Sequence, residues 1–598
     1  MFALRSLRLF SQRLPSRLSL QTPPRLVHTR PHPDIDQRLS AVVRNMQNAP
    51  KKPANPPKRR KQLRNEKLKG FDEVLQADID ALLRKHKPET EVEYLTPQEP
   101  ALPELFSEIE VQVAEISSTG DGLALSEKQD HVYVVPFSVP GDKVLIKVVR
   151  HFASLQYTLA DFIKVVEPGP QRNDAGIGCQ YFGKCSGCQL QMMSYEDQLA
   201  HKKRIVEKAY ANFSGLIPEL IPAIGDTFPS PLQYGYRTKL TPHFAAPPGS
   251  GRGRRNKDSG VRHTEVPPIG FTYKNRRTDL DIEDCPLGTE IVRQGLKSER
   301  KRVAERLSTY SQGATLLLRE STSRIPKGDQ AAAAKTEWPR TDDLNHINDY
   351  SADLIRNETD TYTEEKRCVT NPNATTVEYV DNYVFTNKAG AFFQNNNSIL
   401  TGFTDYIRQH ALAPPPSTNP SSSTSTSTPN DPSTQPIKYL LDAYSGSGLF
   451  TITLSPLFKS SLGVDVAGDS ILSARQNARA NALPNTGFAA ADAAVLFKDV
   501  PYPADQTLLV IDPPRKGCSD DFLRQLLAYG PKRVVYVSCN VHTQARDVGV
   551  MVQGSPVHKI RYEIESIRGF DFFPQTGHVE GVAVLNRVAI PEGEGESA

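Results

Sequence analysis

The chain has 598 residues, of which 38% are hydrophobic and 23% charged, and its formal net charge is +4. This length allows two to four domains of ordinary globular composition. No stretch approaches 18 consecutive apolar residues, so we expect no membrane span, and seven cysteines in 598 residues exclude a disulfide-rich scaffold.

The N-terminal region is basic and has two parts. Residues 1–33 contain six arginines and no Asp or Glu, with apolar residues at helical spacing. This pattern is typical of a mitochondrial presequence and predicts import, although an unstructured N-terminus could also lack acids. Residues 34–106 are interpreted as a charged tail with a short helix near Phe71 to Leu83. The basic run from Lys51 to Lys69 suits an RNA-contacting arm or a nuclear address.

A small β-barrel is predicted for residues 107–168. Apolar residues alternate from Ile109 to Val113, and the runs Val132–Val135 and Val144–Val149 follow after turns rich in Gly, Pro and Asp. Short strands at this spacing favour an oligonucleotide-binding (OB-like) barrel that contacts RNA. A β-module that only packs on the rest of the chain is the alternative.

Residues 169–396 are predicted to form a central mixed β domain. Three cysteines cluster at Cys179, Cys185 and Cys188, which in an intracellular chain indicates a metal site. A helix is predicted from Tyr195 to Phe213. Two polar interruptions are expected, a basic Gly-rich one at 249–260 and another at about 321–365. A third low-complexity stretch, residues 414–436, is too poor in apolar residues to fold and is predicted to be disordered.

From residue 397 to 590 the pattern is α/β. Apolar strand candidates alternate with helical stretches, which predicts a parallel, Rossmann-like sheet with helices on both faces. The strand candidates are Tyr439–Leu441, Leu462–Val464, Leu508–Ile511 and Val534–Val537, and the helices are Ser470–Asn481 and Asp520–Tyr529.

Each of these strands ends in a polar or glycine-rich loop, where open α/β sheets bind their ligands. Gly446 and Gly448 follow the first strand and let the backbone approach a ligand closely. Asp465 ends the second strand and can accept hydrogen bonds from ribose hydroxyls. The absence of a dinucleotide motif and of a Walker lysine favours S-adenosylmethionine over NAD or ATP. Asp492 stands where a third strand should end and could meet the adenine, or it is a plain surface residue.

The next two strand ends carry candidate catalytic groups. Asp512 precedes two prolines and Arg515, an arrangement common in nucleobase methyltransferases, and Cys539 follows the last parallel strand. A thiolate added to C6 of uracil converts the poorly nucleophilic C5 into an enolate carbon that can take a methyl group. A base must then remove the C5 proton, and Glu580 and His578 are the local candidates.

Three segments carry a specific resemblance. Asp-Pro-Pro-Arg at 512–515, Ser-Cys-Asn at 538–540 and Phe-Pro-Gln-Thr-Gly-His-Val-Glu at 573–580 stand in this order. Over roughly residues 107–590 the chain closely resembles the RNA uracil-C5 methyltransferase family, and in particular its eukaryotic tRNA branch. The resemblance implies that Cys539 is the nucleophile and Glu580 the base. It also implies that four side chains contact the cofactor: Gln394, Tyr444, Asp465 and Asp512.

The same resemblance assigns the barrel and the cysteines. The barrel resembles the family's TRAM module, and members that carry a [4Fe–4S] cluster show the spacing of Cys179, Cys185 and Cys188, followed by a distant cysteine before a proline, here Cys285. Zinc remains an alternative for four thiolates. The chain departs from the family pattern in three ways. The first loop has Ser445 and Leu449 where relatives often have Cys and Asn, Asp465 stands where Glu is usual, and the insertion at 414–436 falls just before the cofactor fold.

The implied substrate is tRNA, bound through its T arm by a monomeric enzyme, with uridine 54 as the methylated base. A ribosomal RNA substrate and a non-catalytic RNA-binding or tRNA-folding factor are the alternatives. The uridine must be flipped out of its stack, and Phe392 or Phe393 could support it. Arg237 and Lys239 are expected to contact RNA phosphates.

Overall fold

A computed structural model describes residues 71–86, 102–250, 261–327, 350–412, 436–492, 496–497 and 499–590. The predicted presequence, the basic run at 51–69, the C-terminal tail at 591–598 and nearly all of the segments at 249–260 and 414–436 lie outside the described residues. No helix among those described is long and apolar enough to span a bilayer.

The longer helices are numbered in chain order: α1 Phe71–His86, α2 Tyr195–Phe213, α3 Glu290–Glu305, α4 Leu400–Ala411, α5 Leu449–Leu454, α6 Gly468–Ala480, α7 Asp520–Tyr529 and α8 Val541–Gln553. The strands that precede the central domain are β1 Glu108–Ile116, β2 Gly122–Leu125, β3 Val132–Val135, β4 Lys143–Phe152 and β5 Tyr157–Glu167. Those of the central region are β6 Gly225–Phe228, β7 Lys239–Leu240, β8 His243–Phe244, β9 Gly270–Thr272, β10 Asp279–Asp281, β11 Ala314–Thr315, β12 Leu318–Pro326, β13 Tyr350–Glu358, β14 Tyr362–Val369, β15 Thr375–Val380 and β16 Tyr383–Lys388. The remaining strands are β17 Tyr439–Ala443, β18 Ser460–Asp465, β19 Thr486–Ala490, β20 Thr507–Ile511, β21 Arg533–Ser538, β22 Ile560–Phe570 and β23 Glu580–Ala589.

The first five strands close into a barrel in the order β1–β2–β3–β5–β4. The alternating apolar residues seen in the sequence, among them Val111, Val113, Val144 and Ile146, form the barrel core. The predicted small barrel is therefore confirmed as a closed five-stranded one.

Helix α1 packs on the outside of this barrel. Its residues Leu75, Ile79, Leu82 and Leu83 form one apolar cluster with the barrel residues Leu123, Val132, Val134 and Tyr157. Apolar side chains four residues apart lie on one face of a helix, which explains why this face is buried. The segment expected to be a charged tail thus contains a helix that belongs to the folded barrel.

The central region contains a polar sheet where the sequence predicted an interruption. Strands β13, β14 and β12, together with the short β7 at Lys239–Leu240, form one antiparallel sheet in the order β13–β14–β12–β7. Ion pairs such as Lys366–Glu320 and Arg356–Glu365 join neighbouring strands. The prediction of a polar interruption at about 321–365 was therefore wrong for the described strands. Charge pairs between neighbouring strands, rather than apolar alternation, stabilise this sheet.

The C-terminal region forms an eight-stranded sheet in the order β19–β18–β17–β20–β21–β23–β22–β6. Strands β17 to β21 are parallel, and β23 is antiparallel to β21. Helices α2, α7 and α8 cover one face, and helices α4, α5 and α6 cover the other. The predicted doubly wound α/β architecture is confirmed.

Two elements of the expected central domain belong to this sheet layer. Strand β6 pairs with β22, and helix α2 forms over the predicted range, Tyr195–Phe213. Ile205, Val206 and Tyr210 of that helix lie in the same apolar core as the sheet. The central region and the C-terminal region therefore share a core.

Candidate active site

Cys539 stands directly after β21, at the carboxyl edge of the sheet. The next residue, Asn540, caps α8 by accepting a hydrogen bond from the His542 N–H at 3.2 Å. The thiol is half-buried. Burial, together with the nearby carboxyls of Glu580 and Asp512, raises its pKa to about 12, and only Arg515 opposes this shift. The thiol is therefore protonated before substrate arrives.

Two carboxyl groups face this sulfur. Glu580 begins β23 and is 2% exposed, and Asp512 follows β20. Burial and the neighbouring Asp512 raise the pKa of Glu580 well above its usual value, while Arg515 lowers it. Burial, with a further contribution from Asp442, raises the pKa of Asp512 to about 7. The predicted nucleophile and the predicted base are thus brought together with a third acid, whose charge acts on both.

A cleft of about 480 Å³ opens beside Cys539. Its walls come from parts of the chain that are far apart in sequence. They are α1, the β1–β2 loop, residues 179–191 (called here the cysteine loop), the β9–β10 turn and the carboxyl edge of the sheet at Cys539. The lining includes Val74, Ser118, Thr119, Ser186, Gln189, Lys274, Arg515, Cys539, Asn540 and His578. A volume of this order accommodates a small ligand such as a nucleoside.

His578 lies on the rim of this cleft. Partial burial lowers the pKa of its imidazole, and the positive charges of Arg515, Lys202 and Arg237 lower it further. Neutral histidine can donate or accept a hydrogen bond but does not carry a charge. The buried Glu580 is the better-placed of the two predicted bases, because it is the one whose charge acts on Cys539.

The first strand end forms an acidic, glycine-containing loop. Tyr444 and Gly446 both adopt positive φ angles, +66° and +53°, and a Cβ at Gly446 would meet no atom within 4 Å. Asp465 holds this loop, since its two carboxylate oxygens accept hydrogen bonds from the N–H groups of Gly446 at 3.0 Å and Ala467 at 2.7 Å. The Tyr444 ring lies 5.5 Å from that of Phe522 and forms an apolar wall.

Asp442 was not identified as a site residue from the sequence. Its Oδ2 accepts hydrogen bonds from the Thr451 N–H and hydroxyl, at 2.9 and 2.6 Å, whereas its buried Oδ1 has no partner. Burial raises its pKa to about 7. The signal that could have found it is its place at the end of β17, two residues before Tyr444.

Two other predicted cofactor residues lie near this loop or before it in the chain. Asp492 follows β19 as predicted, and its charge contributes to the raised pKa of the Tyr444 hydroxyl. Gln394 is buried in the segment between β16 and α4.

This loop fits a cationic adenosyl cofactor. Four carboxyls at neighbouring strand ends supply negative charge for a sulfonium and acceptors for ribose hydroxyls and an adenine amine: Asp442, Asp465, Asp492 and Asp512. The open space at Gly446 leaves room for the ligand next to the backbone.

The predicted RNA contacts are corrected in part. Phe393 is buried against Phe385 and cannot stack a base, whereas Phe392 is 77% exposed and can. Arg237 lines the cavity around the cysteines instead of an open surface. The Lys239 ammonium lies 3.5 Å from the carbonyl oxygens of Gly390 and Ala391. Local sequence could not show which side chains these neighbours would cover.

The four predicted metal-binding cysteines line one cavity. It has a volume of about 150 Å³ and is lined by Cys179, Cys185, Cys188 and Cys285. Burial raises the pKa of Cys285 to about 11, with contributions from the thiols of Cys179 and Cys185. Among the described residues, however, no group of three or more His, Cys, Asp or Glu side chains is arranged to hold a metal ion. The four cysteines lie around one cavity, and their binding of a metal remains a prediction.

The doubly wound sheet, with an acidic glycine loop at its switch point, places the chain in the nucleotide-binding α/β class to which S-adenosylmethionine-dependent methyltransferases belong. A family model described as tRNA (uracil-5-)-methyltransferase matches residues 432–588. The tRNA (uracil(54)-C(5))-methyltransferase of Schizosaccharomyces pombe is 41% identical over 485 residues, covering 81% of this chain and 79% of that protein. The chain belongs to the tRNA (uracil-5-)-methyltransferase family.

Two further comparisons agree with this assignment. The Saccharomyces cerevisiae protein of the same description is 41% identical over 80% of this chain and 73% of its own length. A crystal structure of the Pyrococcus abyssi tRNA (uracil-54, C5)-methyltransferase with S-adenosyl-L-homocysteine has a TM-score of 0.52 and 21% identity. It covers 80% of this chain and 100% of that one, which shows that the fold is shared.

Proposed function

We propose that this protein transfers a methyl group from S-adenosylmethionine to C5 of uridine 54 in tRNA. The observation that carries the proposal is that Cys539, which lines a cleft of about 480 Å³, lies within the electrostatic reach of the buried carboxyls of Glu580 and Asp512. The 41% identical fungal relatives, described as tRNA uracil-54 enzymes, support tRNA rather than ribosomal RNA as the substrate.

Cys539 activates the base. Its thiol proton passes to a carboxylate, its sulfur bonds to C6, and the C5–C6 electron pair moves toward C5 and O4. The cofactor supplies the methyl group that C5 takes up. Glu580 then removes the C5 proton, the C5–C6 double bond forms again, and the C6–sulfur bond breaks to release Cys539.

The charges around Cys539 also act on Glu580. Burial and the neighbouring Asp512 favour the neutral form of Glu580 at rest, whereas Arg515 favours its ionised form. Because Cys539 is protonated at rest, its proton must first pass to a carboxylate, and Glu580 must be ionised when the C5 proton of the methylated adduct has to leave. Arg515 lowers the pKa values of both Cys539 and Glu580 and is therefore the side chain that favours both ionised forms.

We also propose that the five-stranded barrel is an OB-like TRAM module that holds the T arm near the cleft. Its β1–β2 loop contributes Ser118 and Thr119 to the wall opposite Cys539. A barrel loop at this position contacts any RNA whose base enters the cleft. Phe392, exposed on the segment before α4, is the aromatic residue available to stack the flipped uracil.

The mechanism is tested by trapping with 5-fluorouridine-substituted T-arm RNA, whose C5 fluorine cannot leave as a proton. The parent enzyme should form a covalent adduct that Cys539→Ala does not form. Glu580→Gln should accumulate an adduct even with unmodified RNA, because elimination stalls. An unchanged adduct in Cys539→Ala would falsify the mechanism.

The substrate is tested by mapping 5-methyluridine in tRNA and ribosomal RNA from cells with and without the protein. Loss confined to position 54 of tRNA supports the proposal, and loss confined to ribosomal RNA overturns the choice of substrate. Normal marks in both RNAs, with no cofactor binding in calorimetry, would instead identify a non-catalytic RNA-binding factor.

We propose further that Cys179, Cys185, Cys188 and Cys285 hold a [4Fe–4S] cluster. The four cysteines line one cavity of about 150 Å³, and their spacing in the sequence matches that of family members that carry such a cluster. The methyl transfer needs no electron from such a cluster, so its role is structural. Iron and sulfide analysis with the visible absorption of anaerobically purified protein tests this, and one equivalent of zinc without iron would overturn it.

Two further proposals concern where the protein is located in the cell and its oligomeric state. Residues 1–33 direct the protein to mitochondria, and the basic run at 51–69 supports a second, nuclear or cytoplasmic pool. Imaging of full-length and presequence-deleted fusions tests this. We propose that the chain acts as a monomer, and light scattering in solution tests this.

A further inference from the structure

The turn at residues 573–578, called here the catalytic turn, leads from β22 to Glu580. Its residue Gln575 has a φ of +71°, in the left-handed region that residues other than glycine rarely adopt. Such a conformation is strained and persists only where neighbours hold it. The neighbours of this turn therefore decide the shape of the cleft beside it.

Helix α2 holds one side of the catalytic turn. Gln198 and Gln575 form a reciprocal pair in which the Gln198 amide nitrogen donates to Gln575 Oε1 and the Gln575 N–H donates to Gln198 Oε1, both at 3.0 Å. Both residues are buried. This pair fixes the N–H and the side chain of Gln575 and leaves its carbonyl for another partner.

The cysteine loop holds the other side. The N–H groups of Gln189 and Leu190, directly after Cys188, both donate to the Gln575 carbonyl oxygen, at 3.0 and 3.1 Å. The Gln189 side chain accepts a hydrogen bond from the Gly577 N–H at 3.4 Å and donates to the Ser186 carbonyl at 3.0 Å. One residue of the cysteine loop thus reaches the catalytic turn with both its backbone and its side chain.

Gln189 also meets the barrel. A Cβ placed on Gly120 of the β1–β2 loop would lie 3.1 Å from Gln189 Cβ, so the glycine permits a close approach. Gly577 and Gly120 are close neighbours as well, since a Cβ on Gly577 would lie 3.3 Å from the Gly120 nitrogen. Gln189 therefore stands where the cysteine loop, the barrel and the catalytic turn converge, and it lines the cleft that contains Cys539.

We infer that the cysteine loop holds the catalytic turn in its observed conformation and that Gln189 is the positioning residue of this contact. Through it, the cysteine site sets the geometry of the uracil pocket without touching the reacting atoms. This inference deepens the proposed function and rests on it, because it gives the structural cysteines a defined effect on catalysis.

The first experiment uses Gln189→Met in the full chain, with Gln180→Ala as the control in the same loop, where Gln180 is exposed. Methionine keeps the packing volume but removes both side-chain hydrogen bonds. The rate of adduct formation with 5-fluorouridine T-arm RNA should fall about tenfold, while the affinity for S-adenosylmethionine changes less than twofold. A rate within twofold of the parent would overturn the inference. Failure of the parent itself to form an adduct would instead overturn the proposed function.

The second experiment measures amide hydrogen exchange in Cys188→Ser, with Cys368→Ser as a control for a buried cysteine outside the cluster. Exchange should accelerate both in residues 185–191 and in the catalytic turn for Cys188→Ser, and in neither for Cys368→Ser. Faster exchange confined to the cysteine loop would show that the turn does not depend on it.

Discussion

Lys202 on α2 and Asp571, just after β22, form an ion pair in which neither side chain is exposed to solvent. The Lys202 ammonium also donates to the Phe573 carbonyl oxygen at 2.9 Å. We expect Lys202→Met to lower the free energy of unfolding by about 3–5 kcal/mol, because it leaves Asp571 buried without a counter-charge. Urea denaturation followed by circular dichroism measures this.

The adjacent pair Lys203–Asp226 is the matched control, since Asp226 is 89% exposed. Lys203→Met should leave the denaturation midpoint almost unchanged because solvent screens an exposed pair. The double variant Lys202→Met/Asp571→Asn should recover part of the lost stability. Equal effects of the two single variants would show that burial of the first pair has no energetic consequence.

Binding of the cofactor should depend on pH. The carboxyls of Asp442 and Asp512 have pKa values raised to about 7, first by burial, and their ionised forms attract the positive sulfonium. S-adenosylmethionine should therefore bind up to about tenfold more tightly at pH 8 than at pH 6, and affinity should level off above that pH. Calorimetry with S-adenosylhomocysteine, which lacks the positive charge, should show a weaker dependence.

The variant Asp442→Asn separates the contribution of Asp442 to this pH dependence from that of Asp512. Asparagine can still accept the hydrogen bonds of Thr451, and it removes the charge that contributes to the raised pKa of Asp512. The pH dependence should become shallower and its midpoint should move to lower pH. This account would be contradicted if affinity changed with pH in the same way for both ligands, or in the same way for the parent and the variant.

Phe392 should contribute to uridine capture. Its ring is 77% exposed, so Phe392→Ala should not affect folding, whereas loss of a stacking surface costs about 1–3 kcal/mol per base. We expect adduct formation with T-arm RNA to slow about fivefold to 150-fold, and Phe392→Tyr to retain most of the rate. If Phe392→Ala formed the adduct as fast as Phe392→Tyr, Phe392 would not be the residue that stacks the uracil.

The contact of α1 with the barrel can be tested at Asp78. Its buried carboxylate accepts a hydrogen bond from the Ser118 N–H and lies 3.7 Å from the Lys208 ammonium. Asp78→Ala should destabilise the β1–β2 loop by about 1–3 kcal/mol, because a buried N–H loses its acceptor. Thermal unfolding and amide exchange at Ser118 measure the effect. Asp80→Ala on the same helix, whose carboxylate is exposed and bonds only to Gln76 nearby, is the control.

The sheet and the residues at its edge could be predicted from the sequence for one physical reason. Buried parallel strands appear as short apolar runs, and their carboxyl ends meet at one edge. The residue that follows each run, such as Tyr444, Asp512 or Cys539, therefore lies near the others even without a structure. The predicted range of α2 is also confirmed, and in the structure Ser194 caps the start of this helix.

The remaining features depend on partners that are distant along the chain. Nothing near Gln189 in the sequence points to Gln575, 386 residues later, and the hydrogen bonds between them exist only after folding. Phe392 and Phe393 are adjacent, and only the packing of Phe385 decides which of the two is buried. The polar strands β12 to β14 lacked an apolar period because charge pairs join them.

The cleft beside Cys539 draws its walls from residues as far apart as Val74 and Val579. The outer walls, which include Ser118, Gln189 and Lys274, are separate in sequence from the acidic cofactor loop. Substitutions in these walls should leave binding of the methyl donor unchanged and yet slow the modification of uridine. Evolution of this enzyme toward a new RNA could therefore proceed through the outer walls while the donor site stays constant.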